Sequence, residues 1–501
     1  MEKKLYCTVG FYVLIASVMA SCFLLYELVE LNLIPVVWIG LILLLLLCLG
    51  FFLLFKHKIL GNILLVLIVC ISSFGGYYIH KTNVALERVA MPSTAEAKFM
   101  VVSLKENESI QKLGVSSKGN VKLQDVAISK LDQEYEVVEY DSYYALGDAL
   151  YDRSVDAILV SDISYEMLDG DLFETFVSDS EIVQELVVKV DSSLPSIPVD
   201  VTDTPFTVYI SGHDLGGYST AFSHSDVNIL MTINPKTHQI LMLGLPRDSY
   251  IPQTEANNQK DKLTHTGLYG AKCIVDSVSN FLEVPINYYV EVNFNSLVDI
   301  VDALGGVTVD SPFEFSSFGF DFVKGKNELD GERALAFARE RYSFEDGDKE
   351  RSRNQMRVLH AIIDKAMSPS IIQNYPELMK TLSDSFKSNM NQKEMTSFIR
   401  SQIKDLKDWD IQQIQIGGTG IMIESPALGF EVYMMDPDMD TVHSATTLIK
   451  RVLKGKNFLV KILQHIIRLL PVKKNGWQIY SLKKASAFSF FIVFFCFLKL
   501  I

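Results

Sequence analysis

The chain contains little cysteine for its length. Only six of its 501 residues are cysteine, and five of these lie in uncharged apolar stretches: Cys7, Cys22, Cys48, Cys70 and Cys496. Cys273 alone lies in the large polar part of the chain, so no disulfide can form within that part. The cysteines and histidines also lack the spacings typical of zinc sites. The sequence therefore predicts neither a disulfide framework nor a structural zinc module.

Basic residues are also scarce, which makes one cluster of them informative. The chain has 46 Lys and Arg against 60 Asp and Glu, a formal net charge of −14. Within seventeen positions, however, it places Arg339, Arg341, Arg351, Arg353 and Gln355. Arginine offers a planar fork of donors that fits phosphate oxygens in pairs, so the cluster predicts an anion-binding site. The alternative is an exposed helix held by i,i+4 ion pairs.

Long apolar runs are a feature of the N-terminal part. A chain of 501 residues is expected to contain two or three modules. Residues 5–26, 31–55 and 59–79 form three uncharged runs, and each can cross a hydrocarbon core of roughly 30 Å as a helix. A cleaved signal peptide has a single shorter run. We therefore expect residues 1–81 to be a retained membrane anchor with three transmembrane helices.

The charges that flank these runs predict the orientation of the anchor. Basic residues precede the first run and fill the second turn, whereas the first turn carries only acidic ones: Lys3, Lys4, Lys56 and Lys58 against Glu27 and Glu30. The positive-inside rule then places the N-terminus and the second turn in the cytoplasm. With three spans, everything after Lys81 is expected to lie outside the cell. A disulfide-free exported region fits a Gram-positive bacterial surface better than an animal ectodomain.

A first exported module is expected at residues 98–190, after a linker at 82–97. Residues 99–104 and 157–160 are predicted to be buried strands, and residues 145–153 between them are predicted to be helical. These elements indicate a small α/β or α+β accessory domain. Its sequence contains no catalytic constellation.

The second module is expected at residues 206–456, after a linker rich in Ser and Pro at 191–205. The turn at 235–238 is so short that the apolar strands on either side of it are predicted to form an antiparallel hairpin. Helices alternate with buried strands in this module, and the predicted fold class is therefore α/β, a sheet flanked by helices. The strands are predicted at 206–211, 227–234, 239–246, 287–293, 412–416 and 430–433, and the helices at 266–281, 296–304 and 439–452.

The arginine cluster lies on two further predicted helices. The first is expected at residues 331–338 and is followed by Arg339 and Arg341. Their spacing of two lets both side chains reach one site only if the chain unwinds there. Asp348 is placed to cap the second helix, on which Arg351 and Gln355 share a face. The dipole at the N-terminus of that helix also favours an anion.

Residues 457–501 form a tail of different composition. It contains seven Lys or Arg and no acidic residue. Its uncharged run at 485–498 is short for a membrane span. The tail either lies along a membrane surface or represents a shifted reading frame, and its role is unassigned.

Six short motifs follow one another along the chain: Gly212-His213-Asp214, Ser225-Asp226, Pro246-Arg247-Asp248, Lys262-Leu263-Thr264-His265, Arg339-Glu340-Arg341-Tyr342, and Asp348 to Gln355. Each motif alone is weak, whereas the ordered set is specific. On these residues the chain resembles the LytR-CpsA-Psr family over about residues 206–456. The three-span anchor and the module at 98–190 resemble its capsule-associated branch, CpsA.

The resemblance implies a phosphotransferase that works outside the membrane. Such enzymes take a glycopolymer, here capsular polysaccharide, from its polyprenyl pyrophosphate carrier and attach it to peptidoglycan through a phosphodiester. The family fold is a sheet flanked by helices, with an apolar groove for the lipid tail. The expected partners are the lipid-linked polysaccharide, peptidoglycan, the membrane and other capsule-assembly membrane proteins. Direct binding of nucleic acid is not expected.

The resemblance also implies a metal site and a pyrophosphate site. It assigns Mg²⁺ (or Mn²⁺) to Asp214 and Asp226, and Mg²⁺ commonly binds one or two carboxylates together with phosphate oxygens and water. Asp226 is in addition the candidate general base, and Gln355 offers an uncharged donor. Four arginines can neutralise the pyrophosphate before a hydroxyl attacks phosphorus: Arg247, Arg339, Arg341 and Arg351.

Each of these residues also has a structural interpretation. Asp214 in a glycine-rich turn is typical of an Asx turn, and Arg247-Asp248 is typical of a local ion pair at a strand end. Arg351 and Gln355 are also compatible with a solvated helix face. Two further residues are expected to be structural rather than catalytic: Lys262 and Asp348.

One position departs from the family pattern. Arginine usually precedes the Ser-Asp pair, whereas here His224 precedes Ser225-Asp226. Arginine is charged at neutral pH, and an unperturbed histidine is mostly neutral there. We therefore expect weaker pyrophosphate binding than in relatives, and His224→Arg should tighten the binding of a lipid pyrophosphate and raise turnover. Unchanged affinity and turnover in that variant would contradict the expectation.

Two other functions remain open from the sequence. Some family members were first described as transcriptional attenuators, so the main alternative is a membrane-bound regulator of capsule synthesis. Direct DNA binding is not expected, because the cytoplasmic parts are too small for a DNA-binding fold. The third function is a protein that binds the carrier lipid or the polymer without transferring it.

Overall fold

A computed structural model describes residues 2–31, 36–89, 94–105, 107, 109–168, 172–191, 194–213, 225–344, 347–366, 386–404 and 409–456. The tail at 457–501 lies outside these residues. The N-terminal part forms three helices, each with a stretch long and apolar enough to cross a membrane: α1 (Glu2–Leu31), α2 (Val36–Lys56) and α3 (Lys58–Val89). The three expected helices are therefore present, and their length and composition would let each of them cross a membrane.

The third helix is longer than the sequence analysis predicted. Residues 82–89, which were expected to form a linker, continue α3, and the first strand begins at Thr94. The polar residues after Ile79 hid this extension, because a hydropathy pattern ends where the apolar run ends. The segment nevertheless contains no glycine or proline before Pro92, and such a sequence can continue a helix.

A polar cluster joins α1 to α3. Glu27 on α1 is almost fully buried. His80 Nδ1 lies 2.9 Å from Glu27 Oε1, and Asn83 Nδ2 donates to Glu27 Oε2 and to its carbonyl oxygen at 2.9 and 3.0 Å. A buried carboxylate needs such partners, so the cluster fixes the register of α1 against α3.

The first module after the helices is a mixed sheet with the strand order β3-β2-β4-β1-β5. β1 pairs antiparallel with β4 and β5, whereas β2 pairs parallel with β3 and β4. The predicted α/β unit is confirmed. Its strands are β1 (Thr94–Leu104), β2 (Lys112–Ser116), β3 (Glu136–Tyr140), β4 (Ala157–Ser161) and β5 (Ser180–Asp191), and its helices are α4 (Val121–Ile128), α5 (Tyr143–Tyr151), α6 (Asp162–Leu168) and α7 (Phe176–Asp179).

The second module is organised around a six-stranded sheet with the order β16-β11-β6-β7-β8-β17. The predicted hairpin is present as β7 and β8 near its centre. The strands of this sheet are β6 (Phe206–His213), β7 (Val227–Asn234), β8 (Gln239–Gly244), β11 (Tyr288–Asn293), β16 (Phe386–Ser388) and β17 (Asp410–Gln415).

Helices cover both faces of this sheet. Alternate strand residues point to opposite faces, so Val208 and Ile210 belong to one buried cluster and Tyr209 to the other. On the first face lie α9 (Phe294–Ala303), α10 (Gly331–Arg339), α11 (Asp348–Ala366) and α12 (Gln392–Lys404). On the second face lie α8 (Ala271–Leu282) and α13 (Met439–Leu453). The predicted sheet flanked by helices is confirmed.

Short strands and turns complete the second module. There are two 3-10 helices here: Thr254–Ala256 lies between the two strands of one pair, and Leu263–Tyr269 follows the second strand of that pair. The segment predicted as one helix at 266–281 is thus a 3-10 turn followed by α8. The antiparallel pairs are β9 (Tyr250–Pro252) with β10 (Lys260–Lys262), β12 (Val307–Ser311) with β15 (Gly325–Leu329), β13 (Phe315–Ser317) with β14 (Phe320–Phe322), and β18 (Gly418–Glu424) with β19 (Glu431–Pro437).

Candidate functional site

The strand order brings predicted site residues to one edge of the six-stranded sheet. β6 pairs parallel with β11, and β8 pairs parallel with β17. β7 runs antiparallel between β6 and β8, so its start lies at the edge where those four strands end. Asp226 immediately precedes β7, and its backbone N–H donates to Gly212 at the end of β6 at 2.8 Å. Arg247 follows the end of β8, so both residues lie at this edge.

Asp226 and Arg247 form a direct ion pair at this edge. Arg247 Nη1 donates to Asp226 Oδ1 at 2.6 Å, and the two side chains are 26% and 19% exposed. Arg247 Nε lies 4.0 Å from Asp248 Oδ1, so the Arg247–Asp248 pair that the sequence suggested is the longer of the two contacts. Lys262 Nζ lies 3.2 Å from the same Asp248 oxygen. The edge therefore carries alternating charges that are mostly withdrawn from water.

Two predicted site residues lie outside the described residues: Asp214 and His224, both within 214–224. The pyrophosphate and metal assignments of these two residues therefore remain predictions. Lys262, which was expected to be structural, forms an ion pair with Asp248, and its role stays a prediction.

The helix that carries Arg339, α10, packs against α9. α9 leaves the sheet directly after β11. α10 begins against the second half of α9, where Gly331 N donates to Asp302 Oδ1 at 2.8 Å and a Cβ on Gly331 would clash with the backbone of Val298. α10 starts from this contact with α9 and carries Arg339 in its last turn.

The helix ends at the position that the arginine spacing required. α10 stops at Arg339, and Glu340 is extended with φ −66° and ψ 129°. The chain therefore unwinds between Arg339 and Arg341. This is the condition under which both side chains can reach one site. Glu340 itself turns inward and is 7% exposed, and its Oε1 accepts a hydrogen bond from Ser343 N at 2.7 Å.

The charge of Glu340 is stabilised where it lies. Burial raises the pKa of its carboxyl group, but hydrogen bonds from Ser317 and from the Ser343 and Tyr342 segment outweigh burial, and the net pKa is lowered. A lowered folded-state pKa means that this stabilisation is present above the ordinary value of 4.5 and is lost as the pH falls through the folded pKa. The carboxylate is thus ionised at neutral pH and can anchor the turn between the two arginines.

Aromatic rings accompany both arginines. The Arg339 guanidinium lies over the Phe318 ring at 5.8 Å. The Arg341 guanidinium lies over the Tyr342 ring at 4.7 Å, and its Nη2 donates to the Tyr342 hydroxyl at 2.6 Å. Phe318 and Tyr342 are 70% and 84% exposed. Both cations are therefore held at the surface by cation–π contacts.

The arginines on α11 fall into two groups. Glu350, which is 2% exposed, binds Arg353 Nη1 at 2.5 Å and Arg357 Nη1 at 2.6 Å. Arg353, which the sequence placed in the cluster, therefore belongs to an internal ion-pair network. Arg351 and Gln355, one turn apart and partly exposed, remain candidates for binding an anion.

The predicted cap of α11 lies one residue too late. The helix begins at Asp348 itself, and Gly347 O accepts from the backbone N–H groups of Glu350 and Arg351 at 3.1 and 3.2 Å. Gly347, with φ +51°, therefore occupies the capping position. Asp348 is the first residue of the helix.

Glu340 is a site residue that was not predicted from the sequence. Its position between two arginines was a signal, because an acidic residue there has opposite charges on both sides. Its burial, however, depends on Ser317 of the β13–β14 hairpin, and this contact joins residues that the sequence does not bring together.

The part of the chain that contains these residues is similar to known proteins. Residues 176–447 match the model described as the LytR_cpsA_psr family. The chain is 35% identical over 223 residues to the polyisoprenyl-teichoic acid–peptidoglycan teichoic acid transferase TagU of Enterococcus faecalis, covering 44% of this chain and 72% of that protein. It is 35% identical over 251 residues to TagU of Bacillus subtilis, covering 50% of this chain and 78% of that protein.

Two solved structures are similar to the same half of the chain. The crystal structure of B. subtilis TagU has 33% identity and a TM-score of 0.39, covering 51% of this chain and 99% of that one. TagT bound to LIIa-WTA has 28% identity and a TM-score of 0.40, covering 51% of this chain and 94% of that one.

Proposed function

The chain belongs to the LytR-CpsA-Psr family, and from that premise we propose that it is a membrane-anchored glycopolymer–peptidoglycan phosphotransferase. The polymer is capsular polysaccharide, and the donor is its polyprenyl pyrophosphate-linked form. The Asp226–Arg247 ion pair at the sheet edge carries the proposal, because it joins two motifs of the family through side chains that are partly exposed. Relatives named as teichoic acid transferases support the reaction type.

The charges of the site suit a pyrophosphate diester. Such a group carries about two negative charges, which must be neutralised before a hydroxyl can attack phosphorus. We assign this neutralisation to Arg247, Arg339, Arg341 and Arg351, with Gln355 as an uncharged donor and His224 as a weaker contact. The aromatic contacts of Arg339 and Arg341 hold their guanidinium groups near the surface, where these groups can bind an oxygen of the substrate.

The reaction follows from this arrangement. A peptidoglycan hydroxyl attacks the phosphorus that carries the polymer, the bond from that phosphorus to the bridging oxygen breaks, and polyprenyl phosphate leaves. The arginines stabilise the charge that develops on the leaving phosphate. The proton of the attacking hydroxyl passes to Asp226, the candidate base. Because Asp226 Oδ1 already accepts from Arg247, the base must act together with that ion pair.

The proposed ion is Mg²⁺ (or Mn²⁺), held by Asp214 and Asp226. Among the residues that the structure describes, no group of three or more His, Cys, Asp or Glu side chains is placed to hold a metal. Mg²⁺ commonly takes only one or two carboxylates and completes its shell with phosphate oxygens and water. The partly exposed Asp226 carboxylate fits an ion shared with the substrate, which would supply additional charge neutralisation at the phosphates.

The polymer and the location are further parts of the proposal. The three-span anchor and the 94–191 module favour the capsule-associated branch, and this supports capsular polysaccharide as the polymer. The basic residues beside α1 and between α2 and α3 favour a cytoplasmic N-terminus, and this supports an extracellular site. The partners that follow are the lipid-linked polysaccharide, peptidoglycan and other capsule-assembly membrane proteins.

A transfer assay tests the function. The full-length chain is incubated in lipid nanodiscs with Mg²⁺, a polyprenyl pyrophosphate-linked capsular glycan and peptidoglycan, and glycan bound covalently to peptidoglycan is measured after detergent and protein are removed. Mg²⁺-dependent attachment is the expected result. Tight binding of the donor without attachment would indicate a binding protein, and neither binding nor attachment would favour a regulator of capsule synthesis.

Glu340→Gln is expected to weaken donor binding about tenfold, because the amide cannot replace an ionised acceptor and loss of such a hydrogen bond costs roughly 1–3 kcal/mol. The turn that presents Arg339 and Arg341 would then lose its buried anchor. The measurement is the Kd of a short polyprenyl pyrophosphate. Glu332→Gln on the exposed first turn of the same helix is the matched control, and an equal loss in both variants would show that general charge is responsible.

A further inference from the structure

The loop at residues 425–430, between β18 and β19, connects the two modules; we call it the docking loop. The backbone N–H groups of Tyr143 and Tyr144 donate to the carbonyls of Ala427 and Leu428, both at 3.0 Å. Tyr143 and Tyr144 are the first residues of α5, whose first N–H groups have no partner within the helix. The docking loop thus supplies acceptors that the helix itself lacks.

The docking loop also completes the apolar core of the first module. Ala427 and Leu428 are buried in the same cluster as Leu146 and Leu150 of α5. Leu268, which belongs to the second module, lies in this cluster too. The two modules therefore share one continuous core at this contact, and moving one of them away would expose apolar surface.

On its other side the docking loop binds Asp261. Ser425 Oγ lies 2.9 and 3.0 Å from the two carboxylate oxygens, and Ala427 N donates to Oδ2 at 3.1 Å. His265 Nδ1 lies 2.9 Å from Oδ1. The side chains of Asp261 and His265 and the whole of Ser425 are almost fully buried. Burial raises the pKa of Asp261, but its bonds to His265, Lys262 N and Ser425 outweigh burial and lower it.

A Ser–His–Asp set of this kind invites comparison with a hydrolase, but its geometry differs. Ser425 and the His265 Nδ1 both face the same carboxylate, whereas a catalytic triad places the serine on the far nitrogen of the histidine. The set is also sealed from water. The set therefore has a structural role, and Ser425 is not a nucleophile.

Asp261 in turn belongs to the segment that holds Arg247. We call residues 260–264 the strap. Thr264 N donates to the carbonyl of Arg247 at 3.0 Å, and Leu263 N donates to that of Ser249 at 2.8 Å. Lys262 contributes its ion pair with Asp248. The strap thus binds the backbone of Arg247 and Ser249 through hydrogen bonds and the side chain of Asp248 through an ion pair.

We propose that the 94–191 module is a positioning module for the transferase site, in which the docking loop fixes Asp261 and Asp261 fixes the strap that holds Arg247. Asp261 and Ser425 are then positioning residues, because they act through Arg247 and not on the substrate. The inference rests on the proposed function for its consequence in transfer, while the mechanical coupling itself needs no substrate. A shift of the first module is therefore expected to change the position of Arg247 through these contacts.

A single methyl group can loosen the contact. Gly429 has φ +85°, and a Cβ there would overlap Ser142 Oγ and lie 2.6 Å from Ser142 Cβ at the start of α5. Gly429→Ala therefore pushes the docking loop off α5 and leaves Asp261 and Ser425 unchanged. Adding Ser142→Gly removes both overlapping atoms and is expected to restore most of the contact. Gly455→Ala, at φ +66° with its nearest atom at 3.7 Å, controls for backbone strain alone.

The test combines hydrogen exchange with transfer by the full-length chain in nanodiscs. In Gly429→Ala and in Ser425→Ala, the amides of Leu263 and Thr264 are expected to exchange about tenfold faster, and kcat is expected to fall about tenfold with little change in KM. Gly455→Ala should behave as the wild type, and Ser142→Gly should reverse the effect of Gly429→Ala.

Two results would overturn the inference. One is exchange of the strap that stays within twofold of the Gly455→Ala control, and the other is faster exchange with unchanged kcat. If the wild-type chain itself transfers no glycan, the proposed function fails. The comparison of exchange rates would then still decide whether the first module holds the strap, and the Kd of a short polyprenyl pyrophosphate would replace kcat as the second measurement.

Discussion

Arg339→Ala is expected to lower covalent transfer of glycan to peptidoglycan by about a thousandfold. Removal of one preorganised donor from a transition state costs about 10² to 10³ in rate, and removal of an arginine that stabilises phosphoryl transfer can cost more. Arg339 ends α10 where the chain unwinds, and its contact with the exposed Phe318 ring leaves it at the surface. The measurement is kcat with radiolabelled lipid-linked glycan at saturating Mg²⁺.

Arg333→Ala is the matched control for this prediction. Arg333 lies on the same helix, and its guanidinium contacts the rings of Phe320 and Phe322 at 5.4 Å and the carbonyl of Asp321 at 3.0 Å. Its loss should leave kcat within about threefold of the wild type, since it removes only two ring contacts and one hydrogen bond to a backbone carbonyl. Equal losses in both variants would mean that Arg339, too, acts by packing. Arg339→Lys should recover little activity, because a lysine cannot bind phosphate oxygens as a fork.

Local sequence patterns were sufficient for much of the fold. The β7–β8 hairpin follows from two apolar runs separated by four residues, and each strand is buried along its full length. The C-terminal stop of α9 follows from Gly305 and Gly306, whose φ values are +73° and +83°. The helix predicted at 331–338 ends one residue later, at Arg339. In each of these cases the signal lies within a few residues.

Contacts between distant residues could not be predicted in the same way. Ser425 and Asp261 are 164 positions apart, and β17 pairs with β8 across a similar distance. β18 has no fully buried residue, and its apolar run is only the three residues 421–423, shorter than the runs by which buried strands are recognised. The buried state of Glu340 likewise depends on a serine of another hairpin. Such features are set by packing, and a single sequence contains no local trace of them.

The candidate site could be predicted from the sequence only in part, for the same reason. Family motifs identify Asp226 and Arg247, but only the antiparallel position of β7 between β6 and β8 places the start of one strand beside the end of the next. The ion pair then changes what Asp226 can do. One of its oxygens holds Arg247, so ligation of a metal and acceptance of a proton are two roles that must be separated by experiment.

Asp226→Asn is expected to lower transfer at least a hundredfold. Asparagine keeps a similar shape and an oxygen that can accept from Arg247, but it removes the negative charge that a metal ion or a proton requires. If Asp226 is chiefly a metal ligand, the variant should need much more Mg²⁺ for half-maximal activity, and excess Mg²⁺ or Mn²⁺ should restore part of kcat. If it is chiefly the base, kcat should stay low at every Mg²⁺ concentration.

Asp248→Asn separates these roles from a general effect of charge. Asp248 lies next to the same arginine, 4.0 Å from Arg247 Nε, and its principal contact is Lys262 at 3.2 Å. Its neutralisation removes one negative charge from the same sheet edge without removing a predicted metal ligand. We expect at most a tenfold loss of kcat and an unchanged requirement for Mg²⁺. A loss as large as that of Asp226→Asn would show that both acids act only by orienting Arg247, and neither metal binding nor base catalysis could then be assigned to Asp226.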